Sequence, residues 1–382
     1  MINQVAIVGI GTTGFRATTP DVSYRELTYE AAKKAYLDCG ISPKEIGAFV
    51  ATSEDFLEGY SISDEYSPDQ LGAVLKPIYT VPGDFIQSLG SGVMMVLSGL
   101  YDIVVVQALS KASNMLTKPY MIEFAMDPLY ARQLRELPDY VAGLDMARYM
   151  FDTGTTKEDC AQVVVKNRRN AMFNPYAAHG CDLSLDYVMS AEPVSYPLGE
   201  LDISQHCDGA VVVVLARGDV APSLTKKPIW IRGISWISDT PNLERMEWGK
   251  ANYAQLAAKK AYSMAGIKSP RTEIDFAEIN DEFSYKELMH MEALGLCNPG
   301  EARHLVRDGF TEIDGGLPVN TMGGVMGVGN AFEANGAHLV LSTVLQLRGE
   351  AGRNQLKDVH TGLAMSWRGI PTNTGAVVIL SN

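Results

Sequence analysis

Apolar residues in this chain fall into short unbroken runs that alternate with stretches of helical spacing. Val5 to Gly11 reads VAIVGIG, Asp102 to Leu109 DIVVVQAL, Gly209 to Leu215 GAVVVVL, Ile229 to Ser235 IWIRGIS and Gly375 to Leu380 GAVVIL. Runs of this length, bounded by turn residues, predict strands buried on both faces. Thr361 to Met365 predicts a further strand. Between the runs lie helix patterns. One begins near Ser23 or Tyr24, one carries Phe85, Ile86, Leu89, Val93 and Val96 on a single stripe, and one lies around Ala337 to Leu347. Strands alternating with helices predict an α/β fold.

The pattern occurs twice. Ala31 to Tyr36 and Ala257 to Tyr262 both read AAKKAY. The first copy continues LDCGISPKEIGAFVATS and the second SMAGIKSPRTEIDFAEIND: the end of a helix, a stop glycine, a proline turn and a short apolar strand. A strand precedes each copy. A third strand is expected in both halves, at Pro77 to Gly83 (PIYTVPG) and Pro318 to Gly324 (PVNTMGG). Three elements recurring in one order argue against coincidence. The reading is therefore two similar halves, 1–220 and 221–382, with mixed central sheets and helix layers stacked as αβαβα. An insertion at about 113–165 interrupts the first half. Its Met115, Tyr120, Met121, Phe124, Met126, Tyr130, Tyr140, Met146 and Met150 suit either core filling or an adaptable surface, and it is expected to form a cap over a cleft, with an oligomer contact as the plainer alternative.

Composition narrows the partners. The formal net charge is −13, which disfavours nucleic acid and anionic membranes as general partners. No stretch approaches the roughly 20 apolar residues of a membrane span, and the start lacks the basic region of a signal peptide. The five cysteines (Cys39, Cys160, Cys181, Cys207 and Cys297) form neither a CxxC nor a ligand cluster. No disulfide framework or metal site is expected, and a reducing cytoplasm fits.

Gly9, Gly11 and Gly14 spell GxGxxG after the first strand. A dinucleotide site would need a helix opening directly after the motif and an acidic residue about 20 positions on. The helix pattern starts too late, and Glu54 and Asp55 lie too far along. The plainer expectation is a glycine-permitted turn between strand and helix.

Five segments carry a family resemblance: SGLYDIVVV at 98–106, LDISQHCDGAVVVV at 201–214, EINDEFSYKELMHMEALGLCNPGEARHLVRDG at 278–309, GGLPVNTMGG at 315–324 and LQLRGEAGRNQLKD at 345–358. With them, nearly the whole chain resembles the thiolase superfamily, in the branch of lipid-transfer-protein-type and archaeal acyl-CoA thiolases. The resemblance implies a five-layered fold, assembly as a dimer through that fold and a CoA thioester as substrate, with no covalently bound cofactor. It also implies a nucleophilic Cys at a buried helix N-terminus, a GHP histidine as base, an NEAF-type Asn holding a water, and a second Cys on a C-terminal glycine loop.

This chain departs from that pattern. An ungapped reading starts the helix before SGLYDIV at Pro82, so Pro82-Gly83-Asp84 forms a degenerate nucleophile loop. A gapped reading places Leu89 there instead and shortens the helix. Neither supplies a thiol, and proline would also remove an oxyanion N–H, a donor that can be worth about 3 kcal/mol. Gly329-Asn330-Ala331 replaces GHP, and Asn is no general base near neutral pH. The C-terminal loop carries Ser366, Trp367 and Arg368, whose two bulky side chains are expected to narrow the pocket or reshape it. Asn280-Asp281-Glu282-Phe283 keeps the family run.

Asn280, Asp281, Glu282, Asn330 and Glu333 are thus the positional catalytic candidates, with Asp84 as a further carboxylate. A buried carboxyl can serve as acid or base. The plainer reading of Asp84 is a helix N-terminal charge, and that of Glu333 a structural carboxylate. His206 and Cys207 are adjacent on an extended segment, so they point apart and read as structural. Two functions follow. One is an accessory or divergent subunit of a CoA-thioester C–C bond complex, paired with a catalytic thiolase paralogue or a small zinc-ribbon/OB-fold protein. The other is a cysteine-independent retro-aldolase or acyltransferase using carboxylates.

Overall fold

The computed structural model describes residues 4–54, 63–114, 123, 126–134, 138–369 and 373–382. Asp55 and the cap residues Met115, Tyr120, Met121 and Phe124 lie outside these. The first half contributes β1 (Val5–Arg16), α1 (Tyr24–Cys39), β2 (Ala48–Thr52), β3 (Ile78–Val81), α2 (Phe85–Leu97), β4 (Ile103–Lys111), α3 (Pro138–Thr153), α4 (Lys157–Ala171) and β5 (Asp208–Arg217). The second contributes β6 (Ile229–Ser238), α5 (Asn252–Ala265), β7 (Phe276–Ile279), α6 (Ser284–Ala293), α7 (Gly324–Val328), α8 (Asn335–Arg348), β8 (Thr361–Arg368) and β9 (Thr374–Ser381).

The strands run in the order β3-β2-β4-β5-β1-β6-β9-β8-β7. β2 pairs parallel with β3 and β4, and β4, β5 and β1 pair antiparallel. β6, β9 and β8 repeat the antiparallel part, and β8 pairs parallel with β7. The halves meet where Ala6 and Ile7 pair with Trp230 and Ile229. Outward from that junction, β1-β5-β4-β2 matches β6-β9-β8-β7. The expected third strand of the second half is reduced to one parallel bridge between Ala277 and Val319. Residues 318–323 turn instead of extending and lead directly into α7, so β3 has no full counterpart.

Five layers follow from which strand faces are apolar. α1 packs on one face of the first half through Leu27, Ala31 and Ala35. α5 packs on one face of the second through Ala254, Ala257 and Ala261. α2 and α8 fill the space between, with Phe85, Leu89, Val93, Val340 and Val344 in one continuous core. α8 is buried along its whole length, as a helix in a doubly covered layer must be.

The duplication holds at the level of single bonds. Tyr36 Oη donates to Leu71 O at 2.7 Å, and Tyr262 Oη to Leu294 O at 2.8 Å. Gly40 and Gly266 end their helices in the left-handed region at φ 70° and 78°. A Cβ on Gly9 would overlap the Ala35 carbonyl, and one on Gly233 the Ala261 carbonyl. This corrects the reading of GxGxxG as a turn: the motif lies inside β1, and Gly9 and Gly11 let the helix backbone approach the strand.

Candidate functional site

The helix after Pro82-Gly83-Asp84 begins at Phe85, not at Pro82 and not near Leu89. Asp84 is its N-cap. Its Oδ1 accepts from Ile86 N–H at 2.9 Å, and Gln87 Oε1 accepts from the Asp84 N–H at 2.9 Å, completing a capping box. The D-x-x-Q spacing was legible in the sequence. Pro82 is exposed outside the helix, while Asp84 is buried.

Two further segments converge on the same carboxylate. Gly336 N–H, in the first turn of α8, donates to Asp84 Oδ2 at 2.9 Å. The Ser366 hydroxyl, on β8, donates to Asp84 Oδ1. Asp84 thus caps a helix from each half and ties β8 to them. Burial pushes its carboxyl up to about 6, partly offset by these donors.

The Asn330 loop wraps the same helix end. Asn330 Oδ1 accepts from Asn335 Nδ2 at 3.0 Å and from Phe332 N–H at 3.1 Å. Ala331 N–H donates to Asn335 Oδ1 at 2.7 Å. Glu333 is buried in the short turn that follows. Cys207 approaches this loop: its N–H donates to Asn330 O at 3.1 Å, and a Cβ on Gly329 would contact its sulfur. Burial, and secondarily Asp208, pushes that thiol well above its ordinary range, so it is held as an unreactive SH.

Asn280 is knitted to β8. Its N–H donates to Met365 O at 2.9 Å and its Nδ2 to Trp367 O at 3.2 Å. Asp281 points elsewhere. Its carboxylate caps α7 through Val325 N–H and accepts from Asn167 Nδ2 at 2.6 Å, in a buried network with Glu287 and Lys166. Burial, followed by the neighbouring Glu287, pushes the Asp281 carboxyl up. Glu282 is half-buried, and its carbonyl accepts from Ser204 N–H. Asp84, Ser366, Asn330 and Asn280 are therefore brought together through two helix ends and one strand, and Asp281 is not among them.

Trp367 does not narrow this site. It alternates with Ser366 along β8 and so faces the other side of the sheet. There it lies in a buried cluster, 6.4 Å from the Tyr253 ring, with Lys286 Nζ 4.4 Å from its own ring centre. Lys286 bonds Asp145 Oδ2 of α3 at 2.8 Å, as does Tyr285 Oη at 2.9 Å. Arg368 returns to the face of Ser366 and pairs with Glu54.

Sequence reading missed the group that supports Asn280. His290 Nδ1 lies 2.8 Å from Asn280 O, and its Nε2 lies 3.0 Å from Tyr253 Oη. A carbonyl only accepts, so Nδ1 carries the hydrogen and Nε2 receives one from Tyr253. Burial, then Lys286, drives His290 down to about 3. The available signal was His290 ten residues after Asn280, on a helix that returns under the strand end. His338 of α8 is also buried, and burial holds it down to about 3, partly offset by the backbone of Gly329.

Of the expected cap, Met126 and Met146 are buried, so these methionines fill core. The outer face of α3 instead exposes Tyr140, Leu144 and Phe151, beside Val194 and Tyr196. Among the described residues, no cluster of three His, Cys, Asp or Glu could hold a metal ion, and no helix is long and apolar enough to cross a membrane.

Two converging helix ends between duplicated α/β halves define a thiolase-type fold. Residues 236–382 match the family model of thiolase C-terminal domain-like proteins. The chain is 31% identical to an acetyl-CoA acetyltransferase of Methanothermobacter thermautotrophicus over 100% of both chains. It is 32% identical to the benzoylsuccinyl-CoA thiolase subunit BbsB of Thauera aromatica over 56% of this chain and 55% of that one. Among solved structures it resembles the Ltp2-ChsH2(DUF35) aldolase, with a TM-score of 0.85 and 25% identity, covering 99% of this chain and 98% of the other. The chain belongs to the thiolase superfamily, in the branch of lipid-transfer-protein-type and archaeal acyl-CoA thiolases.

Proposed function

We propose that this chain is a thiolase-like subunit of a complex that makes or breaks C–C bonds in CoA thioesters, and that it forms no acyl-enzyme itself. The observation that carries this reading is Asp84. At the helix end where a nucleophile would stand, the chain has a carboxylate committed to Ile86, Gly336 and Ser366. A carboxylate accepting three hydrogen bonds is a poor nucleophile, and Asn330 offers no base to activate another group.

Two observations support a partner. The outer face of α3 presents Tyr140, Leu144 and Phe151, with exposures of 46%, 40% and 83%, and Tyr196 beside them is 88% exposed. Apolar stripes of this kind mark interaction surfaces. The similar solved aldolase is a complex of Ltp2 with a DUF35 protein, and BbsB is a thiolase subunit. The partner in this reading is an intact-cysteine thiolase paralogue or a small zinc-ribbon/OB-fold protein.

A second reading, cysteine-independent retro-aldol cleavage of an acyl-CoA, is favoured by the likeness to an aldolase. That chemistry removes a proton from a β-hydroxyl, breaks the adjacent C–C bond and leaves an enolate, so it needs a base but no nucleophile. Asp84, Glu282 and Glu333 are its candidate bases.

Native mass spectrometry of the chain co-expressed with its neighbouring genes, followed by acyl-CoA thiolysis and retro-aldol assays, separates these. A hetero-oligomer whose activity requires the partner's cysteine supports the subunit reading. A homo-oligomer that cleaves a β-hydroxyacyl-CoA unaided overturns it in favour of the second.

A further inference from the structure

Adjacent residues on an extended segment point apart, and His206 and Cys207 do so. Cys207 is buried under the Asn330 loop, while His206 turns outward and is exposed. The His206 ring centre lies 4.9 Å from that of Phe332, two residues after Asn330. An imidazole therefore stands against the loop in which Asn330 replaces the GHP histidine, although it comes from a segment more than a hundred positions earlier.

The backbone of His206 is held from two sides. It forms a parallel bridge with Asn330, whose N–H donates to Gln205 O at 2.7 Å and whose carbonyl accepts from Cys207 N–H at 3.1 Å. His179 Nε2 lies 2.9 Å from His206 O, and a carbonyl only accepts, so Nε2 carries the hydrogen. Phe332 is held in an unusual conformation. Its φ is +51°, rare for a bulky aromatic residue, and its N–H donates to Asn330 Oδ1 at 3.1 Å. Backbone strain of this kind gathers at functional sites, and here it belongs to the ring that packs on the imidazole. The buried carboxylates nearby are less accessible: Asp84 and Glu333 are 4% and 3% exposed, and Asp84 is committed to three donors. Imidazole is also the side chain whose ordinary range lies nearest neutral pH, which suits proton exchange in both directions.

We infer that His206 is the catalytic base of this chain's own site and exchanges a proton with a β-hydroxyacyl-CoA. The assignment deepens the retro-aldol reading and rests on it. A ring nitrogen removes the β-hydroxyl proton, and the O–H electron pair forms the new carbonyl. The Cα–Cβ bond breaks, and its electron pair stays on Cα as the thioester enolate. The imidazolium then returns the proton to Cα, leaving an acyl-CoA and an aldehyde or ketone and regenerating His206. In the reverse direction the same nitrogen takes a proton from Cα of an acyl-CoA, whatever the second product would be.

The test uses that reverse step: exchange of the acetyl hydrogens of acetyl-CoA in deuterium oxide, read by mass spectrometry. The purified full chain is used, free of any thiolase with an intact cysteine. Wild type should catalyse exchange, and His206→Gln should lower it about 100-fold or more. Added imidazole should restore exchange to His206→Ala and leave wild type unchanged, which a merely structural histidine would not do. If the variants do not fold, diethyl pyrocarbonate on wild type decides: exchange should be lost in step with modification of His206, and not with that of the exposed His304 and His360. Exchange undiminished in His206→Gln, a loss in His206→Ala that imidazole does not restore, or indifference to modification of His206 overturns the inference and leaves the retro-aldol reading standing. Wild type that neither exchanges acetyl hydrogens nor cleaves a β-hydroxyacyl-CoA overturns both.

Discussion

The Asp84 carboxylate and the Gly336 N–H lie 2.9 Å apart although 252 residues separate them in the chain. This bond joins the central helices of the two halves, end against end, through one side chain. Charge at a helix N-terminus is ordinary, but here one carboxylate caps two helices from different halves.

Ser366 completes that contact, so Ser366→Ala should destabilise the fold by about 2 kcal/mol, as expected for a lost hydrogen bond to a charged group. The loss should be largest above pH 6, where the carboxylate carries its charge. Urea denaturation of wild type and Ser366→Ala at pH 5 and pH 8 checks this. Equal losses at both values would contradict it.

Asp84 titrates at about 6 in the fold, against about 3.9 unfolded. Between those values the native state holds a proton that the unfolded chain has released, so the Asp84 contribution to stability rises as pH falls from about 7 to 4. Wild type measured relative to Asp84→Asn should gain about 3 kcal/mol over that window. A difference that stays flat would show the carboxyl to be unshifted.

His290 acts with the opposite sign. Its folded value is about 3, against about 6.5 unfolded. The unfolded chain takes the proton first, so stability is lost as pH falls from about 6.5 toward 3. His290→Gln keeps a donor for Asn280 O and removes the titration. Its stability should therefore decline less than wild type between pH 7 and 4, by chemical denaturation.

Lys286 and Asp145 are each under 5% exposed and 2.8 Å apart, beneath the Trp367 ring. Lys286→Met leaves Asp145 buried without its cation and should cost about 3–5 kcal/mol. The double variant Lys286→Met/Asp145→Leu should recover much of that loss, because no uncompensated charge remains. Thermal unfolding of both single variants and the double variant closes the cycle. Losses that simply add would mean that the pair is not coupled.

Much of the architecture was legible because it rests on local pattern. The apolar runs that became β4, β5 and β9, the stop glycines Gly40 and Gly266, and the repeated AAKKAY all encode their element within a few residues. The 318–324 segment misled because PVNTMGG resembles PIYTVPG in sequence, while in the fold it joins β7 through a single bridge, with Pro318 and Asn320 bonding Ala277, and Gly323 and Gly324 take positive φ. Trp367 misled for a different reason. Strand alternation fixes that Ser366 and Trp367 part, but not which of them faces the central helices.

What the sequence determined by itself is the duplicated α/β pattern and the glycines Gly40 and Gly266 that stop its repeated helices. Periodicity, residue identity and capping are all local properties. Only the tertiary structure decided that Gly336 and Ser366 close on Asp84, that Asp281 turns away to cap α7, and that His290 holds Asn280 from beneath. Those relationships depend on how two halves dock across a shared helix layer, and the direction of a buried side chain there is set by which distant donor it must satisfy.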